Sequence, residues 1–367
     1  MENKPRARDL GVPLEGKPGP YNAITDVEGV EVGMTTLIEG EACRTGVTVI
    51  HPRGKAMHDP VFAGWFPFNG NGEMTGSAWV EEGGFLEGPI GITNTHNVGI
   101  VRDAIIHWQA RNKALFQLWS CPLVAETADG WLNDMNKFHV RAEHVFEALD
   151  GAQGGPVPEG NVGGGTGMIC YEFKGGTGTS SRVLPGRFGG YRVGALVQAN
   201  FGRRFQLMVA GAPVGQHLTE DAFWTNGENP FAEQGSIIVI LATDAPLLPH
   251  QLKRLARRAT LGLARTGCLG GNGSGDIFLA FSTANSGAAR PAQSPEGESG
   301  VSHLRALPNE ALDPLFMATA YATEEAVLNA LAAAETMTGR DGLTVHALPH
   351  DRLREVLRQY NRLASQG

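Results

Sequence analysis

An α/β fold, with sheet layers covered by helices, is what this 367-residue sequence predicts, and three observations carry that expectation. Short β-rich runs and stretches of helical spacing alternate in blocks along the chain. One run, Ser236–Thr243 (SIIVILAT), is the most apolar strand-length segment present. The 50 glycines are spread through the chain without a repeat, as tight turns and close backbone approaches in a compact fold require. With 42% hydrophobic and 19% charged residues the composition is globular. The length suits either two domains or one large α/β domain.

The elements follow in order. The opening segment is polar and carries Pro5, Pro13, Pro18 and Pro20, so it reads as an extended arm over the surface. Between Val27 and Ile50 short β-rich pieces alternate with turns, and Gly46–Ile50 is the clearest strand. Residues 61–100 are rich in Gly, Asn and Thr, with a strand-like piece at Ile90–Thr93. Val101, Ile105, Trp108 and Leu115 predict a helix over Val101–Gln117. A second helix covers Phe138–Leu149 and stops at Gly151, where glycine would suit a left-handed cap. Gly160–Gly178 reads as loop around a short strand, Met168–Phe173, and strands are expected at Tyr191–Gln198 and Phe205–Val209.

Residues 211–235 have no β periodicity and read as an exposed connection before the Ser236–Thr243 strand. A helix over Leu247–Ala264 ending at Gly267, a Gly-rich turn and a strand at Ile277–Thr283 come next. Residues 284–302 are a low-complexity surface loop. Leu312–Met337, opened by Asp313-Pro314, is a helix or helix pair, and Asp351–Leu363 is a last amphipathic helix.

Composition excludes several function classes. A net charge of −8 and a pI near 5.8 provide no basic field for nucleic acid. The basic run Lys253–Arg258 sits in a helical pattern and reads as a solvated face. Cys43, Cys121, Cys170 and Cys268 are far apart and form no CxxC pair, so they read as reduced thiols. No signal peptide or membrane-length apolar run is visible, and a cytoplasmic enzyme is the expectation. Gly163–Met168 and Gly271–Asp276 resemble fragments of nucleotide loops, but neither completes GxxxxGK[ST] or GxGxxG in its frame. There is no GxSxG elbow and no HExxH; His139 and His144 are five apart and read as surface or packing residues. Asp129–Asp134 lacks Ca²⁺-loop spacing and reads as a structured turn. Neither a metal nor a cofactor is implied.

The chemistry centres on Gly235-Ser236, where a glycine ending an irregular loop precedes a serine opening an apolar strand. Glycine permits a strained backbone there, and the serine hydroxyl can attack the preceding carbonyl in an N→O acyl shift that water completes. The freed α-amine, with a reference pKa of about 7.7–8.0, can act as general base for its own hydroxyl. Spacing alone does not establish this, because Gly-Ser before a strand is common and usually structural.

Other strings raise the reading. Arg6-Ala-Arg-Asp-Leu-Gly11, Tyr21-Asn-Ala-Ile-Thr-Asp-Val-Glu-Gly29, Arg44-Thr-Gly-Val-Thr-Val49 and Ala125-Glu-Thr-Ala-Asp-Gly130 resemble one family. So do Gly163–Met168, Gly235–Val239, Ala242–Pro249 and Gly271–Asp276. It is the self-processing L-aminopeptidase/D-esterase family, which includes the bacterial β-peptidyl aminopeptidases. The resemblance runs in order from about residue 6 to residue 346. It implies a four-layer αββα sandwich, a single catalytic domain self-cleaved into 1–235 and 236–367, and a homotetramer of such pairs. Small N-terminal residues (L-amino acids, D-Ala amides or esters, β-amino acids) would be released without a cofactor.

Carried over by position, Ser236 matches the nucleophile and Gly235 the residue before the cut. Ser274 and Asp276 match a supporting polar pair, with Asp where some members carry Glu. Asn200 matches a side-chain donor to the oxyanion, and the Ala128 backbone N–H a second. Glu126 matches the carboxylate that receives the substrate's ammonium. Trp119 and Trp131 are read as core aromatics rather than pocket walls. Two rivals differ in class: a self-cleaving ornithine-acetyltransferase-like acyltransferase, whose nucleophile would be threonine, and an unprocessed, non-catalytic binding homologue.

Overall fold

Alternation along a strand sends successive side chains to opposite faces, so a strand apolar throughout needs a partner layer on each side. The computed structural model describes residues 4–222, 235–289 and 302–364. Up to the first helix pair its elements are β1 (Glu31–Glu39), β2 (Cys43–His51), β3 (Val61–Pro67), α1 (Ser77–Gly83), β4 (Phe85–Leu86), β5 (Ile90–Thr93), α2 (Val98–Arg111), β6 (Leu123–Glu126) and α3 (Ala142–Gly151). Then come β7 (Ile169–Cys170), β8 (Phe173–Lys174), β9 (Gly176–Val183), β10 (Arg192–Asn200), α4 (Val214–His217) and β11 (Ser236–Thr243). The rest is α5 (Pro249–Arg265), β12 (Gly275–Ser282), α6 (Asp313–Ala332), β13 (Met337–Thr338), β14 (Thr344–Val345) and α7 (His350–Gln359).

Strands β1-β2-β5-β6 form one sheet and β4-β3-β12-β11-β10-β9 a larger one. From β11, Ile237, Val239 and Leu241 pack with Leu255 and Ala259 of α5 and Ala322 and Ala326 of α6. Ile238, Ile240 and Ala242 face the other way, onto Ile50, Ile90, Ile92 and Leu123 of the smaller sheet. The outer face of that sheet, through Val47, Val49 and Val124, meets Val101 and Ile105 of α2 and Val145 and Leu149 of α3. The layers therefore run helix, sheet, sheet, helix, within the expected α/β class.

Several elements differ from the sequence reading. The helix expected over Val101–Gln117 is Val98–Arg111 and ends where Lys113 takes a positive φ of 54°. The one expected from Phe138 begins at Ala142, because Phe138 itself is left-handed at φ 50°. Gly151 is that helix's last residue and not a left-handed cap; the chain leaves through Ala152 at ψ 139°. Residues 168–173 are no single strand but a tight hairpin, β7–β8, turning through Tyr171 and Glu172, both at positive φ. Phe205–Val209 is not a strand; Arg204–Gln206 is a 3₁₀ turn and Val209 makes an isolated bridge to Ala212. The opening segment is docked more than draped, with Ala7, Leu10 and Val12 in the core.

Of residues 211–235, the described part 211–222 holds α4, with Ala212, Val214 and Leu218 buried, and most of the remainder lies outside the described residues. Residues 290–301 of the expected surface loop also lie outside them. The four cysteines are unbridged, three buried and Cys121 exposed. On the Lys253–Arg258 run, Lys253 pairs with Glu81 while Arg254 and Arg258 lie over the Phe316 ring.

One buried histidine makes stability pH-dependent. His51 Nε2 lies 3.2 Å from the Leu149 carbonyl oxygen, which can only accept, so Nε2 carries the proton. Burial outweighs that hydrogen bond and lowers its pKa from 6.5 to about 4. Between those values the unfolded chain binds the proton and the folded chain does not. Stability therefore falls as pH drops through that window, by about 3 kcal/mol in full. The expected result is a smaller loss of Tm between pH 7 and pH 4 for His51→Gln than for wild type; equal losses would exclude His51 as the cause.

Candidate active site

Strand register gathers the central residues. The antiparallel β10–β11 pair sets Asn200 opposite Ser236, and the parallel β11–β12 pair sets Gly275 on the other side. The Gly275 N–H donates to the Gly235 carbonyl oxygen at 3.1 Å, so the carbonyl just before Ser236 is held and polarised by a fixed donor. A reason for glycine at 235 is visible as proximity. A Cβ there would lie 2.6 Å from the Asn200 carbonyl oxygen and 2.8 Å from Phe201 Cα. Gly275 is equally constrained, its missing Cβ falling 2.3 Å from the Asn71 carbonyl oxygen.

Ser274 and Asp276 flank Gly275 at the start of β12 and are wholly buried. The Ser274 hydroxyl donates to Asp276 Oδ1 at 2.7 Å, which leaves its oxygen lone pairs to accept. Asn69 Nδ2 donates to Asp276 Oδ2 at 3.0 Å. Burial raises the Asp276 pKa above the usual carboxylate value, and the Ser274 and Asn69 hydrogen bonds oppose it. The sequence gives no sign of Asn69, which lies on the loop after β3.

Asn200 is oriented from both ends of its amide. Its Oδ1 accepts the Ile169 N–H at 2.8 Å, and its Nδ2 donates to the Ala128 carbonyl oxygen at 2.9 Å. That arrangement identifies oxygen and nitrogen and leaves a second Nδ2 hydrogen to donate. It also ties the Ala128 peptide, at the cleft wall, to the strand end beside Ser236.

The cleft itself has a volume of about 640 Å³ and its lining includes Glu126, Ala128, Gly235 and Ser236. Asn200, Ser274 and Asp276 lie behind that wall; Asn200 keeps 6% of its surface exposed and the other two none. Glu126 ends β6, its Oε1 accepting the Glu73 N–H at 3.0 Å and its Oε2 the Thr95 hydroxyl. Burial raises its pKa, against those hydrogen bonds. A desolvated carboxylate facing a cleft favours a cation. Thr95 and the Glu73 N–H escaped the sequence reading, since one is an ordinary loop hydroxyl and the other a backbone group.

Trp131, expected in the core, instead lines the cleft at 42% exposure. It sits within a turn closed by the Leu132 and Asn133 N–H groups on the Asp129 carbonyl, which carries the ring away from the apolar layers. Trp119 is 59% exposed and does not join the core either. His144 caps α3 by accepting the Arg141 N–H. Among the described residues no group of three or more His, Cys, Asp or Glu is placed to hold a metal, and no helix is long and apolar enough to cross a membrane.

The chain resembles known proteins along nearly its whole length. The description of peptidase family S58 matches residues 22–345. The β-peptidyl aminopeptidase BapA of Sphingosinicella microcystinivorans is 54% identical over 380 aligned positions, covering 98% of this chain and 94% of that protein. The BapA of Sphingosinicella xenopeptidilytica is 48% identical, covering 96% and 91%. The solved L-aminopeptidase D-Ala-esterase/amidase of Ochrobactrum anthropi, described as a prototype of the serine aminopeptidases and a variant of the Ntn hydrolase fold, superposes with a TM-score of 0.90. It is 52% identical, with 98% of this chain and 100% of that one covered.

Proposed function

The chain belongs to peptidase family S58, and on that premise we propose that it is a self-processing serine aminopeptidase that cuts itself between Gly235 and Ser236. The observation that carries the reading is the meeting of Asn200, Ser236 and Gly275 in one register, beside a cleft that holds Glu126.

In maturation, Ser236 Oγ attacks the Gly235 carbonyl carbon while the Gly275 N–H supports the oxygen. The hydroxyl proton passes to the Ser236 nitrogen as the C–N bond breaks and the acyl group moves to Oγ. Water then hydrolyses that ester, leaving a Gly235 carboxylate on the chain 1–235 and a free Ser236 hydroxyl on the chain 236–367. In turnover the new α-amine takes the Ser236 hydroxyl proton as Oγ attacks the substrate carbonyl. Asn200 Nδ2 and the Ala128 N–H stabilise the oxyanion, and Ser274, held by Asp276, accepts from the Ser236 head group. Collapse expels the leaving amine with that proton, and water then deacylates Ser236. Substrates are small peptides, amides or esters of L-, D-Ala or β-amino acids, as the names of the relatives suggest. The working form is a tetramer of processed pairs in the cytoplasm.

Glu126 makes the enzyme an exopeptidase, because only a free substrate ammonium matches its buried charge. Ala-p-nitroanilide should be hydrolysed and N-acetyl-Ala-p-nitroanilide should not. Glu126→Gln should lower kcat/KM by about 10- to 150-fold, the worth of one charge-assisted hydrogen bond. Equal rates on free and acetylated substrate would remove Glu126 from this role.

A further inference from the structure

Lys174, at the end of β8, is wholly buried, and no carboxylate pairs with it among the described residues. Its Nζ donates instead to two backbone carbonyl oxygens, of Met168 and Gly175, each at 2.8 Å. Burial, with Lys4 adding to it, lowers its pKa to about 7, while Cys170 and Asp129 oppose the shift. A lysine amine buried with no carboxylate in contact is costly, and an apolar side chain would fill the space more cheaply. What the ammonium holds explains its presence.

The Met168 carbonyl and the Ile169 N–H are the two ends of one peptide group. The carbonyl end accepts from Lys174 Nζ and also from the Gly175 N–H at 2.8 Å. The N–H end donates to Asn200 Oδ1 at 2.8 Å. A donor at the carbonyl oxygen, strongest when Nζ is protonated, draws electron density from the peptide N–H, and that N–H draws density through the Asn200 amide from Nδ2. Chains of hydrogen-bonded dipoles strengthen one another in this way where water is excluded. The same contacts pin the ends of a hairpin whose turn residues Tyr171 and Glu172 both have positive φ, so the Ile169 N–H stays aimed at Asn200.

We infer that Lys174 is a positioning residue of the oxyanion site, acting on Asn200 through the 168–169 peptide. This rests on the role proposed above for Asn200.

A double-mutant cycle tests it. Wild type, Lys174→Met, Asn200→Ala and the double variant are compared for kcat and KM on Ala-p-nitroanilide, per processed chain, with folding checked by circular dichroism. Lys174→Met should lower kcat about tenfold, the worth of about one hydrogen bond, with KM nearly unchanged. In the Asn200→Ala background the same change should cost less than about twofold, since its target is gone. Equal losses in both backgrounds, or a rise in KM alone, would overturn the inference. If Asn200→Ala itself leaves kcat intact, the oxyanion role fails first, which separates the two ideas. Should Lys174→Met not fold, Lys174→Gln, which keeps a neutral donor, enters the same cycle. Failure of both variants to fold would mark Lys174 as purely structural and overturn the inference.

Discussion

Ser236→Ala is expected to give one uncut chain of 39.0 kDa on a denaturing gel and to lower hydrolysis by about 10⁴-fold or more. Two losses combine in that number. The hydroxyl that would attack the Gly235 carbonyl is missing, so the α-amine is never released. The hydroxyl that would carry the acyl group is missing too. The substitution is conservative for the fold, because Ser236 makes no side-chain hydrogen bond among the described residues and β11 is held by its ladder and apolar faces. An unchanged melting temperature should accompany the loss. Cleavage at an unchanged rate in this variant would mean that another group cuts the chain.

Asn200→Ala should lower kcat by about 10²–10³-fold, the usual cost of one oxyanion donor. Because the donor acts on charge that develops only in the transition state, kcat and kcat/KM should fall together. Part of the effect is structural. Removing the amide orphans the buried Ile169 N–H and frees the part-buried Ala128 carbonyl at the cleft wall. Asn200→Asp separates the parts, since it keeps an acceptor for Ile169 while placing a second oxygen against Ala128. The Asp variant should be at least as slow as the Ala variant. A rise in KM at constant kcat in either would place Asn200 in substrate binding instead.

Strands with uninterrupted apolar runs were legible. Ser236–Thr243 and Ile90–Thr93 occupy the residues expected of them, because both sheets bury these runs on two faces. Strand β9 was not, although it too is almost entirely buried. Its sequence, GTGTSSRV, has one aliphatic side chain, and its polar groups are satisfied by distant partners: Ser180 Oγ by the Ala322 carbonyl and Thr179 Oγ1 by the Ala195 carbonyl. Gly178 lets α6 approach until a Cβ would lie 2.0 Å from the Ala326 carbonyl oxygen. Composition reads such a segment as loop. Phe205–Val209 failed in the opposite sense, being apolar without a neighbouring strand to pair with.

The site divides along the same line. Ser236, Ser274, Asp276 and Glu126 could be proposed from strings resembling those of a known family, and Asn200 from its place after a strand. The Gly275 N–H, the Ile169 N–H and the Glu73 N–H were not, since a backbone donor leaves no mark in sequence. Asn69 and Lys174 are side chains, but only the folded topology shows what they touch.

Everything proposed for catalysis depends on a free α-amine at Ser236. Mass spectrometry of the purified wild-type protein under denaturing conditions, with N-terminal sequencing of each component, tests that directly. The expected result is two chains in equal amounts, 1–235 and 236–367, the smaller beginning Ser-Ile-Ile-Val. A single intact chain that hydrolyses Ala-p-nitroanilide, or a cut at any other bond, would contradict it.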